Sequence, residues 1–247
     1  MRDVKKMNRK LKYRRILLKL SGEVLGNRET GECIDPEKLA FMAARVKKIH
    51  SLGVEVGIVL GGGNIFRGLT GAGKGVNRVT GDSMGMLATI INALCVQDAI
   101  TRKGGRAVVF SAQEMNRFTR LYTRSAALDA MNDGCVALLS GGTGNPFFTT
   151  DTGAALRAAE LDADAIFKGT TVEGVYDSDP RTNPNAKLLK DVSYAEAVEK
   201  RLHVMDITAF VLCQEQHVPE IRVFSMENLD NILKVADGEP IGTRVHE

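Results

Sequence analysis

The chain has 247 residues, 44% hydrophobic and 26% charged, so it can bury a sizeable core and is too apolar for intrinsic disorder. Its net charge of +3 is uneven: residues 1–15 hold eight basic side chains against Asp3, which leaves −4 for the remainder and reads as a solvated basic tail, with Tyr13 the only aromatic there to favour a nucleic-acid arm. No apolar run approaches the about 20 residues of a membrane span, and Lys19 breaks the run Ile16-Leu17-Leu18 too early for a signal-peptide core, so a cytoplasmic address is expected.

In chain order, 14–20 reads as a first strand. A helix follows, opened by the cap, proline and acid of Asp35-Pro36-Glu37 and closed by Gly53. Residues 54–60 form a second strand, 82–102 a long apolar helix ending at Gly104-Gly105, and 106–110 a third strand. Helix 124–132, strand 135–139, helix 152–161 and strand 164–168 continue the alternation. Beyond a loop at Asp179–Asn185 come helices 193–201 and 206–216, strand 221–224 and helix 227–236. Strands apolar at consecutive positions are buried on both faces, as in a mainly parallel sheet. Such alternation predicts a three-layer α/β/α sandwich, with 1–14 a flexible tail and 15–247 a single domain.

Cys33, Cys95, Cys135 and Cys213 are widely separated, as are the four histidines, so a structural zinc site is not expected. The cysteines read instead as buried small apolar residues in a reducing compartment.

Three turns carry chemistry, each at the carboxyl end of a strand, where α/β sheets bind ligands. Lys19-Leu20-Ser21-Gly22-Glu23 places a lysine at the end of a central strand. Burial there is costly unless an anion meets the ammonium group, though a lysine snorkelling at the sheet edge fits equally well. In Gly61-Gly62-Gly63-Asn64 the glycines admit close backbone approach, and Arg67 can fork onto phosphate oxygens. The third, Ser140-Gly-Gly-Thr-Gly-Asn-Pro-Phe-Phe-Thr-Thr-Asp151, sets free N–H groups and hydroxyls between a strand and a helix, which suits an anion. Asp151 can cap that helix, orient a lysine, or do both. Lys168-Gly169-Thr170 and Gly174-Val-Tyr176-Asp177-Ser-Asp179-Pro180 add a basic strand end and an acidic turn whose ring can face a base.

Two motif matches fail. Gly68 to Lys74 fits G-x-x-x-x-G-K, but Gly75 replaces the hydroxyl residue that would hold Mg²⁺. Phe66 and Phe147 occupy the last glycine of any G-x-G-x-x-G, so a Rossmann dinucleotide site is not supported.

Together and in this order, these strings, with Asn77-Arg-Val-Thr-Gly-Asp82-Ser-Met-Gly-Met-Leu-Ala-Thr89 and Val204-Met-Asp206, resemble the bacterial UMP kinases of the amino-acid kinase family from about Arg15 to Thr243. That resemblance implies the amino-acid kinase-like fold and transfer of the ATP γ-phosphoryl group, with Mg²⁺, to UMP, giving UDP in pyrimidine nucleotide biosynthesis. It places Lys19, Leu20, Ser21, Gly22, Gly63 and Arg67 at the ATP phosphates, and Thr170, Tyr176 and Asp179 at the adenosine. It gives UMP to Gly62, Asp82 and the run Thr143, Gly144, Asn145, Pro146, Phe147, Phe148, Thr149 and Thr150. Catalysis falls to Lys19 and Lys168, with Asp151 and Asp206 as organisers of lysine and metal and no residue assigned as a direct metal ligand. It further implies a homohexamer inhibited by UTP and activated by GTP.

Residues 1–14 and 102–124 depart from the family pattern. In the second segment Arg117, Arg120 and Arg124 are either effector contacts or solvated helix charges. Met84, Met86, Ile90, Ile91 and Leu94 on the long helix suit either a subunit interface or the core. Two other functions compete: a kinase of the same family acting on a carboxylate or carbamate, and a nucleotide-sensing binder without turnover. Asp82 and the Pro-Phe-Phe-Thr-Thr run argue against the first, and the intact Lys19, Arg67, Asp151 and Lys168 against the second.

Overall fold

The computed structural model describes residues 12–27, 29–66 and 75–247. Arg67, the Gly68 to Lys74 string and most of the basic tail lie outside the described residues.

Nine strands form one sheet in the order β4-β3-β5-β2-β1-β6-β10-β11-β9. Its centre is β1 (Arg15–Leu20), β2 (Glu55–Leu60), β5 (Val136–Ser140) and β6 (Ala165–Thr170), runs of Val, Ile, Leu and Ala buried almost throughout. β3 (Ala107–Ser111) and β4 (Arg120–Leu121) extend one side. On the other lie β10 (Glu220–Ser225), β11 (Thr243–His246) and β9 (Asp191–Ser193). Every neighbouring pair is parallel except β10 with β11.

Two apolar layers cover the faces. α1 (Pro36–Ser51), α2 (Arg78–Arg102) and α7 (Asn231–Ala236) enclose one through Met42, Val96 and Ile232. On the other, α3 (Arg124–Asn132), α4 (Thr150–Glu160), α5 (Tyr194–Glu199) and α6 (Ile207–Glu215) pack Ala127, Ala154, Ala197 and Phe210 onto the sheet. The three-layer sandwich expected from the strand and helix pattern is therefore the architecture found.

The chain lays β1, β2, β5 and β3 to one side and returns to place β6 against the free edge of β1. That reversal opens a crevice at the carboxyl ends of β1 and β6, the usual ligand site of open parallel sheets. Register there pairs Lys19 directly with Lys168.

Several expectations need correcting. α2 starts at Arg78 rather than 82, because the Asn77 side chain accepts from the Thr80 N–H at 2.9 Å and caps it four residues earlier. An 18-residue window of α2 has mean hydropathy 1.4, making it long and apolar enough to cross a bilayer by composition, contrary to the sequence reading. Its buried residues Ala93, Val96 and Ile100 instead join the core that α1 and the sheet enclose. Of its proposed interface residues, Ile90 is core, whereas Met84 and Ile91 are exposed along with Leu87. Cys33 is exposed, unlike the buried Cys135 and Cys213. Arg117 and Arg120 sit on a loop and on edge strand β4 rather than on a helix. Arg124 is already engaged, bonding the Glu160 carbonyl and Asp162.

Candidate active site

Lys19 and Lys168 rise side by side from β1 and β6, 7% and 5% exposed, which leaves little water to hold either charge. The counter-ion is Asp151, one residue into α4, whose Oδ1 lies 2.5 Å from Lys19 Nζ and 2.6 Å from Lys168 Nζ. Asp151 therefore does not cap α4; the cap is Thr149, whose Oγ1 accepts from the N–H groups of Asp151 and Thr152 at 3.0 and 3.2 Å. The two jobs considered for the aspartate are divided between neighbours, which frees its carboxylate for the lysines.

Burial opposes ionisation of Asp151, but the charges of Lys19 and Lys168 outweigh it and hold the carboxyl below its ordinary range. Burial, together with Lys19, pushes the Lys168 ammonium down to about 8, with Asp151 offsetting part of the effect. Two ammonium groups and one carboxylate leave an excess positive charge at the crevice floor.

Asp206 caps α6, accepting from the Ala209 N–H at 2.8 Å. It also accepts from Thr152 Oγ1 at 2.9 Å and from the Thr149 hydroxyl. Its side-chain partners are thus Thr149 and Thr152 at the start of α4 rather than a lysine, and it fixes the helix end that carries Asp151.

The glycine turns wall the crevice. Gly22 touches the second turn so closely that a Cβ there would lie 2.2 Å from Asn64 Oδ1 and 2.4 Å from the Gly61 carbonyl. Ser21 caps a short 3₁₀ turn, accepting from the Glu23 N–H at 3.3 Å. After β5 the backbone turns through positive φ at Gly141, Gly142 and Gly144 (77°, 59° and 82°). This leaves a half-open cleft between the β5–α4 turn and α2. Gly62, Asp82, Thr143, Asn145, Phe148 and Thr149 line it. Asp82 ties the two walls: Arg78 Nε donates to its carboxylate at 2.8 and 2.9 Å, and the Phe147 N–H donates to Oδ2 at 2.8 Å. The latter bond helps hold Phe147 at φ 73°, an uncommon conformation for a residue with a side chain.

This places a buried, positively charged floor beside an open cleft, and the residues matched by the family model span both. The match runs over residues 14–225. The chain belongs to the amino acid kinase family. It is 50% identical over 236 residues to the uridylate kinase of Bacteroides thetaiotaomicron, covering 95% of this chain and 99% of that one. The uridylate kinase of Pseudoalteromonas atlantica is also 50% identical, over 94% of this chain and 93% of its own. Among solved structures, the UMP kinase of Bacillus anthracis superposes with a TM-score of 0.90 at 35% identity, over 95% and 96% of the two chains. That of Ureaplasma parvum gives 0.89 at 36%, over 95% and 99%.

Within this family member, the residues assigned to adenosine come from three separate segments. Thr170 ends β6 two positions after Lys168, while Tyr176 lies on β7 (Val175–Tyr176), paired with β8 (Leu188–Leu189) in a separate ribbon. Asp179 follows in the loop, bonded to the Arg181 backbone at 2.9 Å and to its guanidinium at 2.9 and 3.1 Å. Thr89, Asn92 and Arg78 had no assigned role in the sequence reading. Their sequence signal is weak, since Thr89 and Asn92 are polar residues inside the apolar middle of α2 and Arg78 is one of several polar residues at its ends.

Proposed function

We infer that this chain is an ATP-dependent UMP kinase that transfers the γ-phosphoryl group of MgATP to the α-phosphate of UMP, releasing UDP and ADP. The observation that carries the reading is the Lys19–Asp151–Lys168 cluster at the switch point beside the Asp82 cleft, in a chain so similar to uridylate kinases.

The acceptor phosphate is already anionic near neutral pH, so the site needs no strong general base. Alignment and charge neutralisation do the work. Lys19 and Lys168 neutralise charge on the transferring group while Asp151 keeps both ammonium groups fixed and aimed. Arg67, Ser21, Gly22 and Gly63 complete the donor-phosphate site in this reading, with Leu20 beside them and Thr170, Tyr176 and Asp179 on the adenosine. Both lysines meet one oxygen of Asp151, and the Asp206 oxygens accept from Thr149, Thr152 and the Ala209 N–H; in this reading Mg²⁺ enters on the ATP phosphates, with the two aspartates organising the lysines and the metal around them. A carboxylate repels a phosphate, so Asp82 faces the hydroxyl and N–H donors of the nucleoside and the UMP phosphate points toward the lysines.

The exposed Met84, Leu87 and Ile91, spaced along one face of α2, support its use as a subunit contact in a homohexamer. Inhibition by UTP, activation by GTP and a cytoplasmic site of action complete the proposal.

The experiment is coupled ADP release with MgATP against UMP, CMP, dCMP, carbamate and acetylglutamate. Selective turnover of UMP is expected; turnover of carbamate or acetylglutamate, or none in ATP-binding protein, overturns it. Asp82→Ala should raise the UMP KM about tenfold, equivalent to ~1.4 kcal/mol, with the ATP KM little changed. Saturation at the wild-type UMP level would refute the assignment.

A pH profile tests Lys168 separately. Only its protonated form neutralises phosphate, so kcat/KM for ATP should fall as pH rises through about 8. A bound phosphate favours the ammonium form, so kcat should hold to higher pH. A kcat/KM that stays flat well past that value would remove Lys168 from the mechanism.

A further inference from the structure

The last residues paired between β2 and β5 are Val59 and Leu139, so the turns after them run beyond the inter-strand ladder. α2 lies across both turns and grips each with one buried polar side chain. Asn92, 0% exposed, donates from Nδ2 to the Gly61 carbonyl and to Asn64 Oδ1, both at 2.8 Å. Asn64 returns the contact, donating to Asn92 Oδ1 at 3.0 Å and to the Cys33 carbonyl at 2.7 Å. This reciprocal amide pair is also the seat on which Gly22 rests. One turn earlier on α2, Thr89 Oγ1 accepts from the Gly141 N–H at 2.8 Å and donates to the Met86 carbonyl at 2.7 Å. Just before Thr89 the helix presses on Gly62, where a Cβ would stand 2.7 Å from Ala88 Cβ and 2.8 Å from the Gly85 carbonyl.

Polar groups buried this deeply persist only where they are satisfied. Here the satisfaction runs to turn backbone, so it fixes the turns as well as the helix. We propose that Thr89 and Asn92 are positioning residues for phosphoryl transfer: Asn92 sets the Gly61–Gly63 turn and the Gly22 turn behind it, Thr89 sets the Gly141–Gly144 turn, and the rigid helix between them fixes the separation of donor and acceptor phosphates. This inference rests on the kinase reading above. Three residues of helix span ~4.5 Å and scarcely deform. Transfer needs reacting atoms about 3–3.5 Å apart and in line, so a small drift of either turn is costly.

The test is steady-state kinetics of Thr89→Val, Thr89→Ser, Asn92→Leu and Asn64→Ser, with calorimetric binding of UMP and of ATP to each. Tyr13→Phe serves as a stability control, since it removes a buried hydroxyl bonded to Glu220 at the start of the strands, away from both glycine turns. Thr89→Val should raise the KM for UMP roughly tenfold with the ATP KM within about twofold, and Thr89→Ser should restore it. Asn92→Leu should reverse the ranking, raising the ATP KM more than the UMP KM, because its bonds reach the Gly61 carbonyl and Asn64 against Gly22, while Gly62 is held by Gly85 and Ala88. Should that variant fail to fold, Asn64→Ser breaks the same amide pair from its half-buried side and carries the same expectation. Both KM values rising together, or a lowered melting temperature with unchanged KM as in the control, would overturn the proposal. Absence of UMP-dependent turnover in the wild type would instead overturn the kinase reading, leaving the binding ratios to decide this one.

Discussion

Asp151→Asn should lower stability by about 3 kcal/mol and kcat by roughly 10²–10³-fold. The amide keeps the shape and removes the charge that lets two lysines share a buried floor, both within 2.6 Å of one carboxylate oxygen. Breaking a buried ion pair costs about 3–5 kcal/mol. The lower end applies here, because one lysine can shed its proton and relieve part of the penalty. At roughly 2–4 °C per kcal/mol for a chain of this size, the melting temperature should fall by about 10 °C. The loss should also depend on pH. Asp151 is held below its ordinary range when folded, so its contribution is present above the unfolded carboxyl value of ~3.9 and is lost as pH falls through the lower folded value. The wild type should therefore lose its advantage over the variant in acid. A variant within a degree or two of wild type near neutral pH, turning over normally, would mean that the aspartate is incidental to the cluster.

The central strands were legible because β1, β2, β5 and β6 are apolar at consecutive positions, which is what burial on two faces requires. The short strands were not. β4, β7 and β8 have two residues each, and β11 alternates buried Thr243 and Val245 with half-buried Arg244 and His246, so none presents an apolar run. At the site, glycine turns and strand-end lysines announced themselves through residue types that are costly without a ligand or partner. What the sequence left open was which acid meets which base. Asp151 and Asp206 were both read as organisers of lysine and metal, and only geometry assigns the first to Lys19 and Lys168 and the second to Thr149 and Thr152. The Asn64–Asn92 pair lay further out of reach, since its members are 28 positions apart and meet only when α2 folds across the sheet.

Lys19→Ala should cut kcat roughly 10³-fold while moving the UMP KM less than about threefold. The asymmetry follows from where charge resides during the reaction. In the kinase reading, Mg²⁺ and backbone N–H groups meet the ATP phosphates in the ground state, so one ammonium adds modestly to binding. As the γ-phosphoryl group leaves, charge shifts onto oxygens that a fixed, poorly hydrated cation serves better than water. Lys19 is such a cation: 7% exposed, held at 2.5 Å by Asp151, and aligned with Lys168 by strand register. The substitution also removes a neighbour that pushes Lys168 down, so Lys168 should regain a more ordinary ammonium with only Asp151 beside it. The residual activity of Lys19→Ala should accordingly persist to higher pH than that of the wild type. Folding should survive, because Asp151 retains one lysine partner. A rise in the UMP KM that matched the fall in kcat/KM, with kcat intact, would make Lys19 a binding residue and leave transfer to Lys168 alone.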